Sequence, residues 1–257
     1  MEAGEYNPRT MKVATWNVNG IRARHEQFAQ WASSERPDVI CLQEIKAKLD
    51  QIPQSCSVEG YTCYWHGAGG YSGVGLHIRS DFAADASFSH PEFDLETRIV
   101  QAQIEDTVFT SVYVPNGGKD FDAKIAFIHS LIGYAAGLRA RGLRLVLCGD
   151  MNIARSDMDV HPKERKPRAI GQLPQERELL ERLIAEGGLV DVGRMLHPDD
   201  ENYFSWWAPW RNMKERNIGW RLDYVLASEA LAKRAVSCPS QREIGTSDHA
   251  PVVATFT

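Results

Sequence analysis

No stretch of this 257-residue sequence strings together the roughly 18 apolar residues that a membrane-spanning helix requires, so no membrane partner is expected. Cysteines number only five, an odd count, and no C-x-x-C spacing occurs. A disulfide framework and a cysteine zinc site are therefore not expected, and Cys41 and Cys148 lie inside apolar runs, as buried reduced thiols of a cytoplasmic protein do. Cys56 and Cys63 are close enough in sequence to pair, and the sequence leaves that open. No serine or cysteine stands in a nucleophile-elbow context, which argues against a covalent mechanism. The opening "MEAGEYNPRT" is polar and holds no apolar segment, so residues 1–10 read as a flexible tail and not as a secretory leader, with Met11 as an alternative start. Internal repeats, low-complexity tracts and Pro/Gly/Ser linkers are missing too, so residues 11–257 are expected to form a single domain.

Net positive charge is also lacking. Asp and Glu outnumber Lys and Arg by 34 to 29, a formal charge of −5. Nucleic-acid-binding domains are often basic overall, so the balance argues mildly against such a partner. Net charge is not its distribution, however. "RARGLR" (139–144), "KERKPR" (163–168) and "RNMKER" (211–216) gather positive charge locally, although each alone reads as a solvated face.

What the chain does hold is a succession of short apolar runs, β-branched or aromatic, bounded by Gly, Asp or Pro. They cover 12–18, 38–44, 61–66, 73–79, 98–104, 107–114, 144–150, 203–207, 221–227 and 251–256, and they read as strands. Helical spacing appears over 122–141, where Ile125, Ile128, Leu131, Ile132, Ala135 and Leu138 form one stripe. A second helix over 174–186 starts with Pro174 at its first turn, carries Leu179, Leu180, Leu183 and Ile184, and stops at Gly187–Gly188. Residues 24–34 give a weaker third. Packed sheets covered by helices, an α/β layered domain, accommodate this mixture.

Several runs end on a polar group: Asn17 after "VATW", Glu44 after "VICLQ", Tyr113 and Asn116 in "TSVYVPN", Asp150 and Asn152 in "RLVLCGDMN". Asp223 lies within "GWRLDYVLA", and Asp248 and His249 precede the final run. Acids beside apolar runs are unfavourable unless paired, hydrogen-bonded or metal-bound. Any one of them is explained as a turn or cap; six recurrences point to strand ends converging on one site. Glu, Asp and Asn oxygens are hard donors that suit Mg2+ or Mn2+. Such a cation polarises a phosphoryl centre, a neighbouring Asp orients or deprotonates water, and an imidazole backed by a carboxylate donates to a phosphate oxygen.

Taken together, "WNVNGIRA" (16–23), "PDVICLQEIK" (37–46), "GYSGVGL" (70–76), "YVPNGG" (113–118), "GDMNIA" (149–154), "LPQERE" (173–178), "NIGWRLDYVLAS" (217–228) and "SDHAPV" (247–252) resemble the exonuclease III family of apurinic/apyrimidinic endonucleases, within the endonuclease/exonuclease/phosphatase superfamily. The resemblance runs in family order over 11–257. It implies a four-layer α/β sandwich, two packed mixed β-sheets flanked by helices. It makes Glu44 the principal metal ligand with Asn17 and Asp248 nearby, and gives Asp150 the water, assisted by Asn152. Tyr113 is implied to contact the scissile phosphate or aid the leaving group, and Asp223 to orient His249 on the phosphate. Whether Asp150, Asn152 and His249 hold a second metal is left open.

By the same resemblance Trp206, Trp220 and Leu222 form the pocket for a flipped base-less sugar, Trp210 wedges into the duplex, and Asn116 joins the DNA-facing residues. Basic residues interleaved with the aromatics of 203–220 fit such a surface, and flipping a nucleotide with no stacked base is cheap. Two departures stand out: Asn19 occupies a position where some relatives have an Asp, and "VHPKERKPRAIGQ" (160–172) replaces Asn-rich phosphate-binding sequence with Lys163, Arg165, Lys166 and Arg168. The implied activity is a Mg2+- or Mn2+-dependent DNA repair nuclease, a cytoplasmic monomer that cuts 5′ to abasic sites and trims blocked 3′ ends of double-stranded DNA. The alternatives are a phosphoinositide or sphingomyelin phosphodiesterase of the same superfamily, disfavoured by the tryptophan cluster, and a silent DNA-binding module, which would not need its acids and imidazole intact.

Overall fold

The computed structural model describes residues 10–257, so the expected tail lies outside the described residues except for Thr10. The chain runs β1 (Met11–Asn17), α1 (Ile21–Glu35), β2 (Val39–Gln43), β3 (Tyr61–His66) and β4 (Val74–Arg79), then β5 (Ser87–Ser89), β6 (Ile99–Ile104) and β7 (Thr107–Tyr113). It continues with α2 (Phe121–Ala140), β8 (Arg144–Asp150), α3 (Pro174–Gly187), β9 (Leu189–Asp191), α4 (Val192–Leu196) and β10 (Asp223–Ser228). It closes with α5 (Glu229–Ala232), β11 (Ala235–Ser237) and β12 (Val252–Phe256).

The strands form two six-stranded sheets, ordered β11-β12-β1-β2-β4-β3 and β5-β6-β7-β8-β10-β9. Each sheet has one parallel pair at its centre, β1 with β2 and β7 with β8, and antiparallel pairs on either side. Each parallel pair is a β-α-β unit, crossed by α1 in one sheet and α2 in the other. Strands β2 and β7 are buried at every position, which is why their apolar residues do not alternate with exposed polar ones.

One apolar cluster lies between the sheets, including Val39, Leu76, Phe109, Val146 and Phe256. A second joins α2 and α3 to the outer face of one sheet, and a third joins α1 to the outer face of the other. The result is the expected helix–sheet–sheet–helix sandwich. Asp120 caps α2, its side chain accepting from the Ala123 N–H, and Gly188 closes α3 in the left-handed conformation. Gly149 lies where β8 passes β7 so closely that a Cβ would stand 1.8 Å from the Val112 carbonyl oxygen, so only glycine fits.

Two expectations change. Residues 203–207 are not a strand. Their backbone donors go to different neighbours, Trp206 N–H to the Trp220 carbonyl and Trp207 N–H to that of Asp248, so the segment bridges loops instead of extending a sheet. In α2 the buried stripe contains Phe127, while Ile125 is only half-buried.

Candidate active site

Because β1 and β2 are parallel, as are β7 and β8, their carboxyl ends reach the same rim of the sandwich. Asn17 ends β1, Glu44 follows β2, Tyr113 ends β7 and Asp150 ends β8. Strands β10 and β12 run antiparallel to β8 and β1, so their starts reach that rim too. Asp223 opens β10 in register with Asp150, and His249 lies just before β12. Residues separated by up to 232 positions in sequence are thereby brought together by strand direction alone.

The groups are joined by hydrogen bonds. Asn17 Nδ2 donates to Glu44 Oε1 (3.0 Å) and to Asp150 Oδ2 (2.9 Å), tying the two sheets' acids to each other, while its Oδ1 accepts from the Asn19 N–H (3.0 Å). Asp150 Oδ1 accepts from the Asn152 N–H (2.8 Å), and Oδ2 from Asn152 Nδ2 (3.3 Å). Asn152 and Glu44 both sit at positive φ, 51° and 50°, which turns their side chains back toward the rim. His249 Nδ1 meets Asp223 Oδ2 at 2.8 Å, and its Nε2 lies 3.8 Å from Asp150 Oδ2. One ligand atom each from Glu44, Asp150 and His249 lies within 4.8 Å of the others, the only such convergent group of three or more among the described residues. Two carboxylates in such a group suit a hard divalent cation.

Burial would pull the His249 proton off, but the Asp223 and Asp150 carboxylates outweigh it and raise its pKa well above the ordinary imidazole value. Burial raises the Asp150 carboxyl, and Asp223 and Glu44 add to this against the opposing pull of His249. Tyr113 is pushed far up by burial and by Glu44 and Asp150, so its phenol keeps its proton, and the Arg98 guanidinium lies 4.7 Å from its ring centre. Asp248 stands outside the convergent group. Its Oδ1 accepts from Asn19 Nδ2 (2.7 Å) and its Oδ2 from the Trp206 indole N–H (3.1 Å), and despite burial these contacts and His249 hold its carboxyl below the usual range.

Beside His249 lies a small apolar cluster. Leu222 is buried with Val160 and Ala154, and the half-buried Trp206 and Trp220 pack against them, the two indoles edge-on at 5.5 Å. Trp206 is 6.4 Å from the His249 ring, so the cluster lies next to the imidazole. Trp210 is 58% exposed, free to project from the surface, whereas Trp207 is buried in a separate core with its N–H on Asn217 Oδ1. Asn116 donates to Asn152 Oδ1 (3.1 Å) and lines a cavity of about 430 Å³ with Tyr71, Arg98, Tyr113 and Lys119.

Three side chains in this network escaped the sequence reading. Lys46 Nζ pairs with Glu44 Oε2 (2.5 Å) and donates to Asn19 Oδ1 (2.6 Å), so Asn19 links Glu44's partner to Asp248. Ser205 Oγ accepts from the Leu222 and Asp223 N–H groups, both at 3.0 Å. Lys124 lies under the site and donates to the carbonyls of Asn116 (3.1 Å) and Asn152 (2.9 Å). The i, i+2 spacing of Glu44 and Lys46 in "QEIK" was the one legible hint; the others act across long sequence separations.

The sequence pattern described as the endonuclease/exonuclease/phosphatase family matches residues 14–249. An exodeoxyribonuclease of Bacillus subtilis is 34% identical over 94% of this chain and 98% of its own length. A 3′ phosphatase from Neisseria, solved with a product DNA hairpin, superposes with a TM-score of 0.87 at 31% identity, covering 96% of this chain and 99% of that one. An AP endonuclease from Archaeoglobus fulgidus superposes with a TM-score of 0.86 at 29% identity over 96% and 99%.

Proposed function

From a chain that belongs to the endonuclease/exonuclease/phosphatase family and is a nuclease of its exonuclease III and AP endonuclease type, we infer a DNA repair enzyme that hydrolyses the phosphodiester 5′ to abasic sites and clears blocked 3′ ends, with Mg2+ or Mn2+ as cofactor. One observation carries the reading: the carboxylate–imidazole cluster lies against the apolar cluster of Trp206, Trp220 and Leu222, which we take as the wall of the lesion recess. Such walls pack on a sugar face and offer no matched polar groups for a base edge.

Glu44 would be the principal holder of the cation, with Asp150 beside it; the bound ion supplies Lewis-acid polarisation of the phosphoryl oxygens. The remaining roles belong to the chain's own groups. Asp150, its carboxyl raised and its oxygens fixed by Asn17 and Asn152, accepts the proton of the attacking water. His249, kept protonated by Asp223, offers Nε2–H to a phosphate oxygen. The Tyr113 phenol is a second donor at the same phosphate. The proposed enzyme is a monomer acting in a reducing cytoplasm, a setting that suits its five free cysteines.

Product analysis on duplexes carrying an abasic site, a 3′-phosphate, a nick or no lesion, with and without chelator, tests the reading. Metal-dependent incision 5′ to the abasic site is expected. Activity that persists in excess chelator would remove the metal from it, and cleavage of all four duplexes at one rate would remove the abasic preference.

A further inference from the structure

Trp220 and Leu222 wall the recess, and the residue between them points the opposite way. Arg221 is 1% exposed and its guanidinium is enclosed by carboxylates. Nε donates to Asp159 Oδ1 (2.7 Å), and the two terminal nitrogens fork onto Asp191 Oδ1 (2.9 Å) and Oδ2 (2.8 Å). The face of the guanidinium lies 4.4 Å from the centre of the Tyr224 ring. Asp159 and Asp191 are buried as well, and each is held by a second arginine, Arg194 Nη2 on Asp159 (2.5 Å) and Arg155 Nη1 on Asp191 (3.4 Å).

The anchors sit on two different elements. Asp191 ends β9, part of the rigid sheet. Asp159 lies in the turn that precedes Val160, itself part of the recess. Its backbone is stitched to the wall: Arg221 N–H donates to the Asp159 carbonyl (2.8 Å), His161 N–H to that of Gly219 (2.9 Å), and Val160 pairs with Trp220. Arg221 is thus the side chain that joins both anchors, tying the two segments that carry three of the recess residues to one sheet edge alongside Arg194 and Arg155. It touches neither the recess interior nor the catalytic acids.

We propose that Arg221 is a specificity-positioning residue: its fork on Asp159 and Asp191 holds the Trp220–Leu222 wall rigid, so that a base-less sugar fits the recess and a base-bearing nucleotide is refused. The inference rests on the recess being the lesion pocket. A wall that merely lines a pocket gives way when a bulkier nucleotide presses on it; discrimination needs a wall whose displacement is opposed. Arg is suited to this because a planar fork fixes direction as well as distance, which a lysine ammonium does not.

The test measures abasic incision, incision of undamaged duplex and 3′-phosphate removal on the same preparations of wild type, Arg221→Lys, Arg221→Met and Asp191→Asn. The ratio of abasic to undamaged incision is expected to fall about 10- to 100-fold, the effect of an ångström-scale misplacement. KM for the abasic duplex should rise, and 3′-phosphate removal, which flips no internal nucleotide, should keep its rate. Equal loss of all three activities in folded protein overturns the proposal, since Arg221 then supports the whole site. An unchanged ratio overturns it as well. If none of the variants folds, Arg221 is a folding determinant and the proposal fails. A wild type that shows no preference for the abasic duplex refutes the pocket reading itself and is recognised before any variant is compared.

Discussion

His249 illustrates how much one buried contact decides. Burial alone would strip the imidazole of its charge; Asp223, with Asp150 beside it, raises its pKa instead, and Asp223 fixes its orientation through Nδ1. Asp223→Asn keeps the size and removes the charge, so turnover should fall roughly 10²–10⁴-fold, the range for one positioned acid–base group, while DNA affinity changes little. Steady-state kinetics beside a binding isotherm checks this, and unchanged turnover would leave Asp223 a structural acid. His77 shows the opposite case. It is buried against Phe28 and Trp65, and burial lowers its pKa to about 4 against a small opposing effect of the Leu76 backbone. The folded state thus keeps His77 neutral while the unfolded chain binds a proton below about pH 6.5. Stability from this residue is whole above pH 6.5, declines as the pH falls, and levels off below about pH 4. The loss amounts to ~3 kcal/mol. His77→Leu should flatten that part of the profile in urea melts between pH 7 and 4; parallel profiles would show that His77 does not titrate this way.

Between elements, Lys124 on α2 and Glu176 on α3 form an ion pair with both side chains fully buried. Glu176 Oε2 also accepts the N–H groups of Gly171 (2.6 Å) and Leu173 (3.1 Å), so the pair fastens the 160–172 loop and the backbone at Asn116 and Asn152 to the helices. Lys124→Met strands the Glu176 charge and should destabilise the fold by about 3–5 kcal/mol. Adding Glu176→Gln should restore most of that, and denaturant melts of the two variants decide it. None of this was legible in the sequence, because Lys124 stands at one end of a helical stripe and its partner lies 52 positions away. Central strands were legible, since burial on both faces fills them with apolar and β-branched residues, and so were α2 and, with its ends, α3. Three-residue β5, β9 and β11 are too short to show a period, and "YFSWW" has strand composition but no single strand beside it. The site's acids could be found because each ends, interrupts or precedes an apolar run. Asn19 and Arg221 could not be assigned their partners, which lie 229, 62 and 30 positions away.

At the scale of the whole molecule, a protein of charge −5 is proposed to hold a polyanion, so its positive charge must be placed where the duplex lies. Loop 160–172 is the natural place. Lys163, Arg165, Lys166 and Arg168 are exposed, and the loop runs back to Gly171, where a Cβ would lie 3.1 Å from the Trp220 ring, so it flanks the recess. Arg165 differs from the other three. Its Nε is held by the Asp157 and Val160 carbonyls, which shapes the loop and leaves less of its fork for phosphate. Replacing all four with Gln should weaken duplex binding and flatten its salt dependence. Each phosphate contact is worth roughly 0.9 of the log–log slope, so three contacts remove about 2.7. Turnover at saturating DNA should hold, because Glu44, Asp150 and His249 are untouched, and in this the loop variant is the converse of Asp223→Asn. Restoring Arg165 alone should recover loop order, read by protection of the Ala154 and Gly171 amides from hydrogen exchange, with little recovery of slope. A slope identical to wild type in the fourfold variant would mean that these cations face solvent and that the duplex is held elsewhere on the rim.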